Sequence, residues 1–305
     1  MKKLPFLFLF AAFFAACGHD GPSVTPLENN NGLALLTEAN PEWQYENLRL
    51  YPVTAENAAG QEGVQQLKTL AEGMETPGFR ITELKQFGRT REHSVNMLTV
   101  QNKSDQAILM LSGDVVVGGN QDRVIAQDQV VMPGTVRNVD VFCVEKGRWR
   151  YDDAGATQSE KNIYAFKGYY NVASPQVRQA VQRTGNQAEV WNAVAKVTSA
   201  NAAESGTQAY TALEAAGETK QKRDDYLRYF NGKLTDVPNV VGMVAVCGDR
   251  VLGIDVFGHP DLFKREYNSL LHGYVAEAAT AATASRLADE AVQVAFSRIA
   301  PLASA

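Results

Sequence analysis

The chain reads as an α+β protein: a β-rich N-terminal half of sandwich or partly open barrel type, a helical middle, a late β-hairpin and C-terminal helices. Three observations predict this. Short stretches of alternating apolar and polar residues recur between residues 79 and 144, with turn residues between them. Residues 175–230 change to Ala, Gln, Glu and Lys-rich sequence with apolar residues at helical spacing. Finally, two apolar stretches, Val240–Val246 and Val251–Phe257, flank Gly248-Asp249, residues suited to a tight hairpin turn.

In chain order, Leu48, Leu50 and Val53 predict a short first strand ending at Pro52. Val64, Leu67, Leu70, Ala71 and Met74 share one helical face, which gives an amphipathic helix over 62–74 stopped near Gly73. Strands are expected at Phe79–Leu84, Val95–Val100, Ile108–Leu111, Val115–Val117, Val130–Met132 and Val136–Val144. Their spacers, Asn102–Asp105, Ser112–Asp114 and Pro133–Thr135, carry turn chemistry. Helices follow from Val177, Ala180 and Val181, from Val190, Ala193, Val194 and Val197, and from Tyr226, Leu227 and Phe230, with further helices near 261–283 and 286–298. The late hairpin is expected to complete the early sheet, so residues 45–300 are assigned to a single domain.

With 305 residues, 45% hydrophobic and 21% charged, the chain is long enough for a sizeable core, and collagen-like, disulfide-dense and wholly disordered classes are excluded. A net charge of −5 argues against a nucleic-acid partner. Only one long apolar run is present, which excludes a polytopic helical membrane protein. That run, Leu4–Ala16, follows the basic Met1-Lys2-Lys3. As a helix it rises about 20 Å, short of the roughly 30 Å hydrocarbon core, and reads as a signal peptide over 1–16. Phe14-Ala15-Ala16-Cys17-Gly18 resembles a bacterial lipobox, in which cleavage leaves Cys17 as a lipid-modified N-terminus. Residues 17–44, opening on the polar run 18–32, are then a flexible tether. The expectation is an exported protein of the cell envelope, held at a membrane through Cys17. Cys143 and Cys247 remain, either bridged or as two separate buried thiols.

Standard catalytic signatures are missing: no G-x-G-x-x-G, no Walker loop, no G-x-S-x-G and no H-E-x-x-H. The four histidines show no ligand spacing, so neither a metal nor a cofactor is expected. Two stretches carry chemistry. In the first, Gly118-Gly119-Asn120-Gln121-Asp122-Arg123, paired glycines could expose amides to an anionic or carbonyl ligand, with Arg123 supplying a fork of donors. The plainer alternative is a turn in which Arg123 pairs with Asp122 or Glu145. In the second, Cys143-Val144-Glu145-Lys146-Gly147-Arg148-Trp149, an Arg148–Glu145 pair beside Trp149 could form a ligand platform. A thiolate beside a carboxylate is poorly activated, which counts against Cys143 as a nucleophile. Asp255 places a carboxylate inside an apolar strand and needs a partner, with Arg123, Arg148 and Arg150 as candidates.

The stretches 113–123 (G-D-V-V-V-G-G-N-Q-D-R), 143–149 (C-V-E-K-G-R-W) and 253–260 (G-I-D-V-F-G-H-P) resemble the ARG and rhodanese-phosphatase-superfamily-associated protein (ARPP) domain family over roughly residues 45–285. ARG here stands for ADP-ribosylglycohydrolase. The resemblance implies an association with ADP-ribose-processing enzymes and no established activity. Matched onto its motifs, it implies Gly119, Gln121, Arg123, Cys143, Glu145, Arg148, Trp149 and Asp255 as site candidates. The favoured expectation is a membrane-anchored, non-catalytic module that binds a small molecule. The alternatives are an enzyme acting on an ADP-ribose-like or nucleotide-like compound, with Glu145 or Asp255 as general base, and a structural envelope lipoprotein.

Overall fold

An α+β architecture is built by the residues that the computed structural model describes: 32–56, 63–83, 96–148, 165–215, 217–282 and 286–299. The signal segment, Cys17, residues 18–31 of the tether, and Trp149 lie outside the described residues. The chain opens with β1 (Leu33–Leu35), β2 (Gln44–Tyr45) and β3 (Leu48–Ala55), then α1 (Leu70–Met74). A run of strands follows: β4 (Phe79–Glu83), β5 (Met97–Asn102), β6 (Ile108–Met110), β7 (Asp114–Gly118), β8 (Arg123–Ile125), β9 (Gln129–Val131), β10 (Thr135–Cys143) and β11 (Phe166–Val172). Next come α2 (Pro175–Thr184), α3 (Gln187–Ala200) and α4 (Gly217–Phe230). The last elements are β12 (Val240–Cys247), β13 (Arg250–Val256), α5 (Pro260–Ala278) and α6 (Asp289–Ser297).

These elements divide into two compact units, one from Gln66 to Arg223, the other formed by the described residues up to Gln65 and from Asp224 onward. In the Gln66–Arg223 unit, six antiparallel strands run in the order β11-β7-β8-β10-β5-β4. A bridge between Thr82 and Ala165 links β4 to the residue just before β11, so the sheet curls until its edges meet. Period-two alternation is what fills it: Phe79 and Ile81, Leu98 and Val100, and Val139 and Val141 all point into one core with Val116, Ile125 and Phe166. The small β6–β9 pair and Leu70 of α1 pack on the same core. The predicted helix over 62–74 is two pieces, because Thr69 and Glu72 form a reciprocal cap that starts a fresh helix after the 3-10 turn Val64–Gln66. Helices α2 and α3 begin at Pro175 and after the Asn186 cap, with left-handed Gly185 breaking the chain between them.

In the other unit β1, β3, β12 and β13 pair in that order, with β2 also on β3. The late hairpin turns through Gly248 and Asp249, with Cys247 opposite Arg250. It pairs with β3, the earliest of the predicted strands; the 79–144 block forms its own sheet. Contrary to the expected stop at Pro52, β3 continues to Ala55. The Pro52 carbonyl accepts from Leu36 just past the end of β1, so the missing Pro52 N–H faces β1, where pairing stops, and the ladder to β12 on the other side is spared. Val244, Val246 and Ile254 pack with Val292 and Phe296 of α6. The alternate residues Met243 and Asp255 face α5, whose Tyr274 bonds Asp255. Leu33–Leu35 lies inside the span assigned to the tether, but it pairs with β3 and its apolar side chains pack, so this part of the span belongs to the folded unit.

Candidate functional site

Pairing of β8 with β10 sets Arg123 opposite Cys143, and a bond from the Val144 amide to the Asp122 carbonyl (3.0 Å) extends the register past the strand ends. The two stretches singled out by sequence are thereby brought side by side. The loop after β7 and the turn after β10 meet over Arg148. Its Nε donates to Glu145 Oε2 (2.7 Å), Nη2 to Asp122 Oδ1 (2.8 Å), and Nη1 to the Gly119 carbonyl (3.1 Å). Glu145 Oε2 also accepts from the Asp122 amide (3.1 Å), and Asp122 accepts from the Gly118 amide (3.1 Å) and the Thr211 hydroxyl (3.2 Å). Gln121 donates to the Glu145 carbonyl at 2.6 Å. One guanidinium thus locks two carboxylates and two glycine carbonyls into a clasp.

The electrostatics follow from the geometry. Burial would raise the Glu145 carboxyl, but hydrogen bonds from Arg148, Thr207 and the Asp122 amide outweigh it and hold Glu145 below the usual range. Asp122 is pushed up, first by burial and then by the Glu145 charge. Arg148 is held above its ordinary value, chiefly by its bond to Glu145. Gly119 is required by the clasp: its φ is +55°, and a Cβ there would lie 2.6 Å from Glu83 Oε1 and 2.7 Å from the Phe166 ring. Gly147 lets its turn press on Thr207, whose carbonyl accepts from the Gly147 amide at 2.7 Å.

Arg123 pairs with neither carboxylate suggested for it. Its side chain is fully buried, donating to the Gln121 carbonyl (2.9 Å) and reaching Glu83 at 3.5 Å. Arg148 takes Asp122 and Glu145 instead, because the turn after β10 aims it across the loop. The Cys143 thiol is buried and free, and its pKa is raised, first by burial and then by Glu83, against the pull of Arg123. Cys247 is likewise buried and forms no disulfide. Asp255 belongs to the other unit, because its hairpin pairs with β3, and it accepts there from the Tyr274 hydroxyl; Arg150, one of the partners considered for it, lies outside the described residues. Asp122, Thr211 and Glu83 were not singled out, although Asp122 stands next to Arg123 in the stretch that was.

The clasp also shapes what lies beside it. A bridge between Glu145 and Ala209 and the Tyr210 amide bonding the Val144 carbonyl (2.8 Å) hold the turn against the loop that follows α3. Between Lys146, that loop and α3 is an open cavity of about 390 Å³ lined by Lys146, Trp191, Ser199, Glu204, Ser205 and Gln208, among others. Lys146 Nζ stands 5.6 Å from the centre of the Trp191 ring. No sequence signal pointed to Trp191 or Glu204; they lie on an Ala-rich helix and its trailing loop, ordinary surface by composition.

Fold and site together define an α+β protein with an internally bonded polar clasp beside a small open cavity. The chain belongs to the ARG and Rhodanese-Phosphatase-superfamily-associated Protein domain family, whose model matches residues 37–303. No curated protein and no solved structure matches it.

Proposed function

We propose that this protein is an exported lipoprotein, anchored through lipid on Cys17, whose folded part binds a small molecule without transforming it. One observation carries the binding reading: the acids and guanidinium of the clasp are engaged with one another, while the adjoining cavity presents groups with unused bonding capacity. A general base needs a carboxylate able to take a proton, and Glu145 is held ionised by Arg148 and two further donors. The clasp is therefore a frame. It fixes the turn that carries Lys146 to the cavity mouth, and a volume of about 390 Å³ lies within the range of roughly 300–1,000 Å³ common for small-molecule sites.

Two measurements test this. Thermal melting of the full chain against a panel of sugars, amino acids, nucleotides and ADP-ribose should give a shift with at least one class. No shift with any would favour the second reading, a structural envelope protein, which the mutual saturation of Arg148, Asp122 and Glu145 also fits. For the anchor, Cys17→Ser should abolish lipid labelling and release the protein from membranes; unchanged membrane association would sink the lipoprotein assignment.

A further inference from the structure

Resting on the binding reading above, we infer that the Lys146–Trp191 cavity is a saccharide subsite that selects sugars bearing a carboxylate. Among the described residues, Lys146 makes no ion pair, its Nζ standing 5.6 Å from the centre of the Trp191 ring, and Glu204 makes none either. The Ser199 hydroxyl and the Gln208 carboxamide have no hydrogen-bond partner there. The cavity therefore offers one cation, one carboxylate, two neutral groups that both donate and accept, and an indole.

Each ligand class makes a different demand on such a set. A nucleotide carries two or more negative charges on its phosphates and needs several cations or a glycine-rich helix start; here a single lysine is offered, and the Glu204 carboxylate would repel the phosphates. A lipid tail would strip water from Ser199, Glu204 and Gln208 and return no hydrogen bonds. A pyranose ring matches: its hydroxyls both donate and accept, as Ser199 and Gln208 do, while Glu204 takes hydroxyl protons. Its C–H face is apolar enough to lie on the Trp191 indole. The remaining group, Lys146, then calls for an anion on the same sugar, and one carboxylate satisfies it with one charge-assisted bond.

The rim is built to hold this shape before a ligand arrives. Ala202 and Gln208 both adopt left-handed φ values, +49° and +51°, a conformation that strains any residue with a Cβ. Such strain persists only where neighbours impose it. Here Asn201, fully buried, donates to the Val197 carbonyl (2.9 Å) and accepts from Arg223 (2.7 Å), while the Ser205 hydroxyl accepts from the Ala209 amide (3.0 Å). From the other side Gly147 bonds Thr207. A loop fixed at both ends loses little further freedom on binding.

The test is isothermal titration of the purified full-length chain with glucuronate, galacturonate and their short oligomers, against the matching neutral sugars. Acidic sugars should bind roughly tenfold or more tightly than neutral ones, the worth of one charge-assisted bond. Lys146→Gln should erase that preference and leave neutral-sugar affinity in place; Lys146→Glu should reverse it. Both substitutions are on an exposed side chain, so folding is not at stake. Trp191→Ala should abolish binding of both kinds. Equal affinity for acidic and neutral sugars, or an unchanged preference in Lys146→Gln, would overturn the selectivity. Binding of nucleotides or amino acids that Trp191→Ala removes, with acidic sugars silent, would overturn the saccharide class and leave the binding reading standing. Silence of every ligand class would remove both.

Discussion

Both units use carboxylates to tie elements together, and they treat them differently. In the unit with the β1–β3–β12–β13 sheet, each acid ties one helix to one strand: Asp255 of β13 takes the Tyr274 hydroxyl of α5, and Asp289, in the first turn of α6, takes Arg49 (2.7 Å) and Tyr51 (2.6 Å) of β3. In the barrel-like unit, Asp122 and Glu145 share one guanidinium and several backbone amides, and what they fix is two loops. The difference follows from what else holds each piece. A helix such as α6 already buries Val292 and Phe296 against the sheet, so one polar tie sets its orientation. The 119–122 loop and the 145–148 turn contribute almost no apolar side chain, so a bonded network must supply the rigidity.

The sharpest way to break that contrast is Arg148→Ala. It leaves Asp122 and Glu145 close together and mostly buried with no cation between them. Removing one member of such a set costs roughly 3–5 kcal/mol. Chemical denaturation should show the midpoint falling by that equivalent with an unchanged slope. Arg148→Lys, which keeps charge but loses the fork, should recover only part. A loss below about 1 kcal/mol would mean the loops are held by something other than the clasp.

A second, smaller effect separates acids within the barrel-like unit. Asp114 is fully buried, accepting from the Leu111 amide (2.7 Å) and the Tyr169 hydroxyl (3.0 Å). Burial, with Asp128 adding to it against Arg178 and these two bonds, pushes its carboxyl from 3.8 up to about 7. Below 3.8 folded and unfolded chains both hold the proton. Between about 4 and 7 only the folded chain does, so stability falls as pH rises through that window and levels off above it. Melting curves should drop by several degrees from pH 4 to pH 7 through this group, and Asp114→Asn should flatten that part of the profile. An unaltered profile in the variant would assign the pH dependence elsewhere. Glu145 works in the opposite sense, contributing stability that is lost as pH falls through its lowered value, so the two are separable by direction.

Much of this was legible in the sequence, for identifiable reasons. Strands such as Phe79–Glu83 and Met97–Asn102 were visible because one face is buried and the other is not, which imposes alternation. Strand β11 was missed because Phe166–Val172 is half-buried along most of its length and shows no such pattern. Three-residue β8, opening on a buried arginine, was too short to show a period. The meeting of 118–123 with 145–148 could be guessed from charge complementarity, but which arginine met which acid could not. That depends on the direction in which the turn after β10 leaves the strand, a backbone property. The sheet that Asp255 belongs to was equally hidden, because strand pairing across nearly two hundred residues leaves no local mark. Lys146 stands in a stretch the sequence already marks, but the cavity it opens on and Trp191 were invisible for the same reason: a cavity is made by distant segments, and α3 has an unremarkable composition.

The smallest effect tests the other side of the comparison. Tyr51 donates to the same Asp289 oxygen as Arg49, and the Arg49 guanidinium lies 4.3 Å over its ring. Burial and the bond to Asp289 raise the phenol to about 12, so it remains a donor throughout the accessible range. Tyr51→Phe removes one hydrogen bond and leaves the ring, its packing and the ion pair in place. The Asp289 side chain is 40% exposed, so water can take the vacated position. The expected loss is about 1 kcal/mol by denaturation, several-fold below that of Arg148→Ala. If the two substitutions cost the same, Asp289 would be as dependent on its full set of partners as Glu145 is. The distinction between a single tie on a packed helix and a network that replaces packing would then fail.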